Sequence, residues 1–165
     1  MDMIIAIFVG AILIGVIAGI VKSVNNKKHK DESKIALDNL KDFKADNHYL
    51  SASSGISIGF DNQRKKICFL DKLHKPTIFE YNKILQCEVI EDGETILKSS
   101  TSGTIGRTLL GGILGGGVGA IIGGTTGSKT QKENISSIDL KIVLNDTTNP
   151  IYKINFLKGV SNNPA

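Results

Sequence analysis

The run MIIAIFVGAILIGVIAGIV, residues 3–21, contains no charged or strongly polar side chain. A helix rises about 1.5 Å per residue, so this run reaches about 28 Å, close to the roughly 30 Å hydrocarbon core of a bilayer. A helix on the surface of a soluble domain would carry a polar stripe, and none is present. The run predicts an uncleaved transmembrane anchor over residues 1–21. A secretory signal fits poorly, because the amino end carries Asp2 and no Lys or Arg. Positive charge follows the run instead, at Lys22, Lys27, Lys28 and Lys30. That asymmetry predicts an amino terminus outside the cell (inner or plasma) membrane and a cytoplasmic remainder. Ala11, Gly15 and Gly19 recur every four residues, a small-residue face on which two such helices pack closely.

Residues 22–34 are charged and poor in apolar side chains, and read as a juxtamembrane linker whose lysines lie near the leaflet. Leu37, Leu40 and Phe43, three apart with charges between them, predict a short helix over about 35–45. From Gly55 the period changes to that of strands. ISIGF (56–60) and ICFLD (67–71) flank the polar turn DNQRKK, and TIFEY (77–81) and ILQCEVIED (84–92) follow. The last pair is SIDLKIVL (137–144) and IYKINFL (151–157). In SIDLKIVL the apolar Ile138, Leu140, Ile142 and Leu144 alternate with other residues, as in a half-buried antiparallel strand. Six or so short strands with turns between them predict a mainly β fold, a small antiparallel barrel or sandwich over 35–158. Residues 159–165 form a tail.

The β pattern is interrupted by IGRTLLGGILGGGVGAIIGGTTGSK, residues 105–129. Gly111, Gly115, Gly119, Gly123 and Gly127 keep an unbroken four-residue repeat. Glycine costs a helix about 1 kcal/mol relative to alanine in water, whereas in a membrane or against another helix it permits close backbone contact. This glycine zipper therefore predicts self-association or membrane contact. Lys98 and Arg107 before it and Lys129 and Lys132 after it favour a helical hairpin that returns to the cytoplasmic side over one full crossing. Two phosphate-loop lookalikes fail. The glycines at 115–120 lack a surrounding βαβ unit, and Ser128 separates Gly127 from Lys129.

The remaining residue types exclude much else. A net charge of +4, no Trp and scattered lysines argue against a nucleic-acid partner. Cys68 and Cys87, 19 apart and each inside a strand-like run, match no zinc spacing and read as buried, inert thiols. His29, His48 and His74 fall in the linker and loops, so the expectation is solvated histidines with no metal, no cofactor and no catalytic residue. Glu91, Asp92 and Glu94 surround Gly93 and read as a turn. Arg64, Lys65 and Lys66, with Lys72 and Lys75 nearby, are candidate contacts for lipid headgroups.

The order of these features resembles a known family. Leu40-Lys41-Asp42-Phe43, then ISIGFDNQRKKICFLD, the EDGE turn at 91–94, the glycine-rich insertion and the closing hairpin follow in turn. This is similar to the β domain of small bacterial and prophage membrane-anchored proteins, found upstream of short C-terminal (SHOCT) modules. The resemblance covers roughly residues 37–158 and implies a pleckstrin-homology-like (PH-like) barrel, with no catalytic residues to carry over. It also implies a closing C-terminal helix that residues 159–165 do not supply. The barrel is then completed by a partner, by the 35–45 helix, or not at all. The expected function is a non-enzymatic membrane-anchored interaction module that meets membrane lipid, a protein partner or a second copy of itself. Two alternatives stand beside it: a prophage-type superinfection-exclusion or immunity protein acting at the host membrane, and a glycine-zipper protein that permeabilises the membrane.

Overall fold

The computed structural model describes residues 2–52, 55–100 and 135–158. One helix, α1 (Asp2–Asp38), precedes eight strands: β1 (Asn47–Tyr49), β2 (Ser57–Asp61), β3 (Lys66–Leu70), β4 (Pro76–Glu80), β5 (Ile84–Glu91), β6 (Glu94–Ser100), β7 (Ser137–Leu144) and β8 (Ile151–Lys158). A single 3-10 turn, Tyr81–Lys83, joins β4 to β5. The helix differs from the expected anchor, linker and separate short helix, because its backbone is helical without a break as far as Asp38. Residues 22–38 hold no Gly or Pro, so nothing in the stretch where a linker was expected breaks the helix. Lys28 and Glu32 lie on one face at i,i+4, 3.8 Å apart. Residues 41–46 are not helical. Within α1, side chains are described from Gly15 on, except Ile17. Among the described residues no helix is long and apolar enough to cross a membrane.

The strands form two antiparallel four-stranded sheets, ordered β1-β2-β3-β4 and β6-β5-β7-β8. All six strands expected from the sequence are present, within a residue or two of their expected ends. The two sheets face each other across one apolar core. Ile58, Phe60, Ile67 and Phe69 come from the first sheet; Cys87, Val89, Leu140, Ile142 and Ile154 come from the second. Phe69 and Tyr152 stack between the sheets with ring centroids 3.9 Å apart. At the corner where β1 approaches β8, the Tyr49 hydroxyl donates to the Asn155 carbonyl at 2.9 Å. The architecture is mainly β, two antiparallel sheets packed face to face.

Residues 57, 59 and 61 on β2 and 68 and 70 on β3 point away from that core, yet they are buried. The end of α1 and the chain after it cover them. Leu37, Phe43, Cys68 and Leu70 make a second apolar cluster, flanked by Ala36, Leu40, Ala45 and Leu50. Gly59 lies under this cover, where a Cβ would sit 3.1 Å from Leu37 Cδ2 and 3.4 Å from Phe43. Glycine inside a strand marks such a close approach. The first sheet is thus sandwiched between α1 and the second sheet. The outer face of the second sheet is polar instead: Glu88 is held by Lys141 at 3.0 Å and Lys98 at 3.4 Å, and Asp139 by Lys153 at 2.8 Å.

Both cysteines are free and fully buried, Cys68 beneath α1 and Cys87 between the sheets. Burial pushes each thiol up to about 12. At neutral pH almost no thiolate exists to react. Thiol reagents are expected to label neither cysteine in the native full-length chain and both after denaturation. Stoichiometric labelling within seconds under native conditions would contradict this burial.

The Asp92-Gly93 turn joins β5 to β6 with φ of +48° and +88°. Two consecutive positive φ values are the signature of a two-residue hairpin loop, for which Asp-Gly is a preferred pair. The glycine-zipper residues Gly111, Gly115, Gly119, Gly123 and Gly127, and the hairpin expected for them, lie outside the described residues. Their attachment points are described. Ser100 pairs with Gln86 near the start of β5, whereas Ile138 pairs with Glu91 at its far end. The chain therefore leaves the second sheet at one end of β5 and rejoins it at the other.

Candidate functional site

The most chemically loaded place among the described residues is the junction of α1 with the turn between β3 and β4. His29 and Glu32 are one turn apart on α1, and Ser33 is beside them. The turn, residues 71–75, is built by Asp71. Its Oδ1 accepts the backbone N–H of Leu73 at 2.8 Å and of Lys75 at 2.9 Å, and its carbonyl accepts that of His74 at 2.9 Å. These bonds, the Lys75 N–H first, hold the Asp71 carboxyl below its ordinary range. The tight turn leaves His74 with φ +59°, a left-handed conformation uncommon for a residue with a side chain. It aims the imidazole at α1.

His74 meets three helix side chains there. Its Nδ1 is 3.0 Å from Ser33 Oγ, its Nε2 is 3.2 Å from a Glu32 carboxylate oxygen, and its ring lies 4.6 Å from that of His29. Behind Ser33 a hydrogen-bond chain runs into the sheet. The Ser57 hydroxyl donates to Ser33 Oγ at 3.3 Å, and the Ser51 N–H donates to Ser57 Oγ at 3.0 Å. Ser33, Ser51 and Ser57 are all buried. One ligand atom each from His29, Glu32 and His74 can be chosen so that all lie within 4.8 Å of one another. The histidines expected to be separate and solvated are thus, in the case of His29 and His74, brought together; His48 is exposed on β1. A separation of 45 positions hides the pair from any local reading. The spacing of His29 and Glu32 was the only signal, and it needed the helix to be continuous.

The other expected site residues have structural partners. Arg64 donates to the buried Asp61 through its backbone N–H at 2.8 Å and its guanidinium at 3.0 Å. Lys66 Nζ donates to the Asp42 carbonyl at 3.1 Å, and Lys65 is exposed. Ser33 contacts Ser57, Leu37 contacts the residue Gly59, and Lys44 donates to Asp61. The chain thus runs along β2 from its start to its end. Arg64, Lys65 and Lys66 accordingly sit about 13 Å from the pole where α1 enters, at a strand rise of about 3.3 Å per residue. Lys72 and Lys75, exposed on either side of exposed Leu73, sit at the entry pole. On α1, nothing among the described residues lies within 4 Å of where a Cβ would stand at Gly15 or Gly19, and Ala11 belongs to the same helix. Asp92 ties the turn to the start of β7, its Oδ1 accepting the N–H groups of Ser136 and Ser137 at 2.9 and 2.8 Å.

Residues 41–158 match the family described as the glycine zipper containing PH domain, and the chain belongs to that family. Two curated relatives share 118 aligned residues with it. One is the "Immunity protein" of Bacillus phage SPbeta, 31% identical over 70% of this chain and 56% of its own length. The other is the SPbeta prophage-derived uncharacterized membrane protein YomJ of Bacillus subtilis (strain 168), 32% identical over 70% of this chain and 50% of its own. The chain spans about half the length of these relatives. No solved structure matches it.

Proposed function

We propose that this protein is a prophage-type immunity protein: a non-enzymatic interaction module that holds a PH-like β domain on the cytoplasmic side of the host membrane. The observation that carries the reading is the unbroken helix α1. It joins the apolar run 3–21 to the side chains that cover the first sheet. A rod of this kind sets the height and tilt of the domain above the bilayer, which a flexible linker would not. Val16, Ile20, Val21 and Val24 are each more than half exposed, as lipid-facing residues at the end of an anchor would be. His29 follows Val21 by about 12 Å of helix. The entry pole, with Lys72, Leu73 and Lys75, then faces the leaflet, while the basic turn at 64–66 faces the cytoplasm. The glycine zipper supplies self-association or membrane contact. The names of the two relatives, immunity protein and prophage-derived membrane protein, support the setting.

Two experiments test this reading. A reporter fused after residue 165 and one fused after residue 100 should both report a cytoplasmic location; opposite locations would overturn the single β domain at one membrane face. Expression in a susceptible host should lower plaque formation by a related temperate phage at least tenfold, with adsorption and growth unchanged. Unchanged plaque counts would remove the immunity role. Arrested growth that is relieved by Gly115→Leu and Gly119→Leu would assign the protein to membrane permeabilisation instead.

A further inference from the structure

We infer that His29, Glu32 and His74 bind a divalent transition ion of the zinc class, and that the bound ion clamps α1 to the turn between β3 and β4. The inference is independent of the immunity reading, since it concerns only this junction.

Three observations converge on it. The donor set is two imidazoles and one carboxylate, the nitrogen and oxygen ligands that such ions take. One pair already has ligand spacing. Donors held about 2.0–2.2 Å from a tetrahedral ion lie about 3.3 Å apart, and His74 Nε2 is 3.2 Å from the Glu32 oxygen. His29 offers a donor atom within 4.8 Å of donor atoms of both partners. The last observation is an orphan. His29 Nε2 is buried and has no hydrogen-bond partner among the described residues. A buried polar atom without a partner costs free energy, and an ion between the two rings removes that cost.

The surroundings suit a metal-binding histidine. Ser33 stands at His74 Nδ1, the nitrogen that does not face Glu32. Its hydroxyl both donates and accepts, so it can donate to Nδ1 when Nε2–H points to Glu32. It can equally accept from Nδ1–H when the Nε2 lone pair is given to an ion. Ser57 and Ser51 hold Ser33 in place from the sheet side. A ligating histidine whose other nitrogen is held in this way is oriented in advance, and loss of such a partner typically weakens binding about 10–100-fold. Three protein ligands leave a fourth position for water or a partner's side chain, and the Glu32 side chain, 45% exposed, is on the open side.

The test uses the untagged full-length chain in detergent, stripped with a chelator and dialysed against Zn2+ with Mg2+ in excess. Metal analysis should find about one zinc per chain in wild type and in His48→Ala, whose histidine is remote from the junction. His29→Ala, Glu32→Gln and His74→Ala should each retain less than a tenth of that, with unchanged circular dichroism. Ser33→Ala should bind with affinity reduced at least tenfold, and zinc should raise the thermal midpoint of wild type but not of His74→Ala. Glu32→Gln, at an exposed helix position, keeps the test valid if a histidine variant misfolds. The clamp is overturned if wild type holds no zinc against Mg2+, or if Glu32→Gln and the histidine variants hold as much as wild type.

Discussion

Replacing Leu37 by alanine is expected to destabilise the β domain by about 2–5 kcal/mol, the usual range for emptying a packed leucine site. Leu37 is 1% exposed and is the centre of the cluster by which α1 covers the first sheet. Its neighbours are poorly placed to collapse, because Gly59 beneath it has no side chain and Phe43, Cys68 and Leu70 are already fixed by their strands and turn. The measurement is the denaturant midpoint of the full-length protein in detergent, read by a β-sheet signal. A second substitution makes the prediction sharper. Gly59→Ala places a methyl group 3.1 Å from Leu37 Cδ2, tight enough that leucine must shift. In the Leu37→Ala background the same methyl group enters the vacated space. The two changes should therefore be less damaging together than their separate effects imply, as a double-mutant cycle would show. Strict additivity would mean that α1 does not press on β2 as described. Loss of the cover should also expose Cys68 to thiol reagents while leaving Cys87 protected.

Asp61→Ala should cost about 2–4 kcal/mol, since it strips several donors of one buried acceptor. Asp61 ends β2, is fully buried, and accepts the Lys44 N–H at 2.8 Å, the Arg64 N–H at 2.8 Å and the Arg64 guanidinium at 3.0 Å. It thereby ties the chain leaving α1 to the turn between β2 and β3. Burial alone would raise its carboxyl, but the backbone N–H groups of Arg64 and Lys44, then the guanidinium, outweigh that and hold it below the ordinary value. A carboxyl lowered in the folded state stabilises the fold above its unfolded value, near pH 4, and that contribution is lost as pH falls through the folded value. Glu88 acts in the same direction, lowered by Lys141 first and then by Lys98 despite its burial. Wild type should lose stability progressively below about pH 4. Asp61→Ala should start lower and show a shallower acid slope. Equal slopes in the two proteins would mean that Asp61 is not the titrating tie.

The β strands were legible because their side chains alternate between a core and another environment, and two-residue periodicity reports that directly. SIDLKIVL is the clearest case, and it forms β7 with the expected ends. β6, ETILKSS, escaped because it lies on the sheet edge and carries polar residues into the glycine-rich run, so no apolar period marks it. β1 is three residues long, too short for any period. The charged stretch 22–34 read as a linker because apolar content was the criterion. Its lysines and Glu32 are good helix formers, and it meets the sheet only at Ser33, one turn before Leu37. The same misreading hid the junction with His74. Gly59 carried a usable signal, since a glycine in the middle of ISIGF asks what lies against it. The answer, Leu37 and Phe43, required the fold.

The placement of β5 between β6 and β7 also bears on how the chain folds. β1 to β6 join through turns and short loops and assemble from local contacts, whereas β7 can dock only after residues 101–136 have closed a loop from one end of β5 to the other. That closure is entropic, and its cost grows slowly, by only about 0.6 kcal/mol for each doubling of loop length. The docking of the β7–β8 hairpin onto β5 is therefore expected to be the late step of folding, where distant segments must meet. For the same reason a change in the length of the segment between β6 and β7 is expected to cost the domain little stability. What the β domain requires of this stretch is then only that its two ends reach opposite ends of β5.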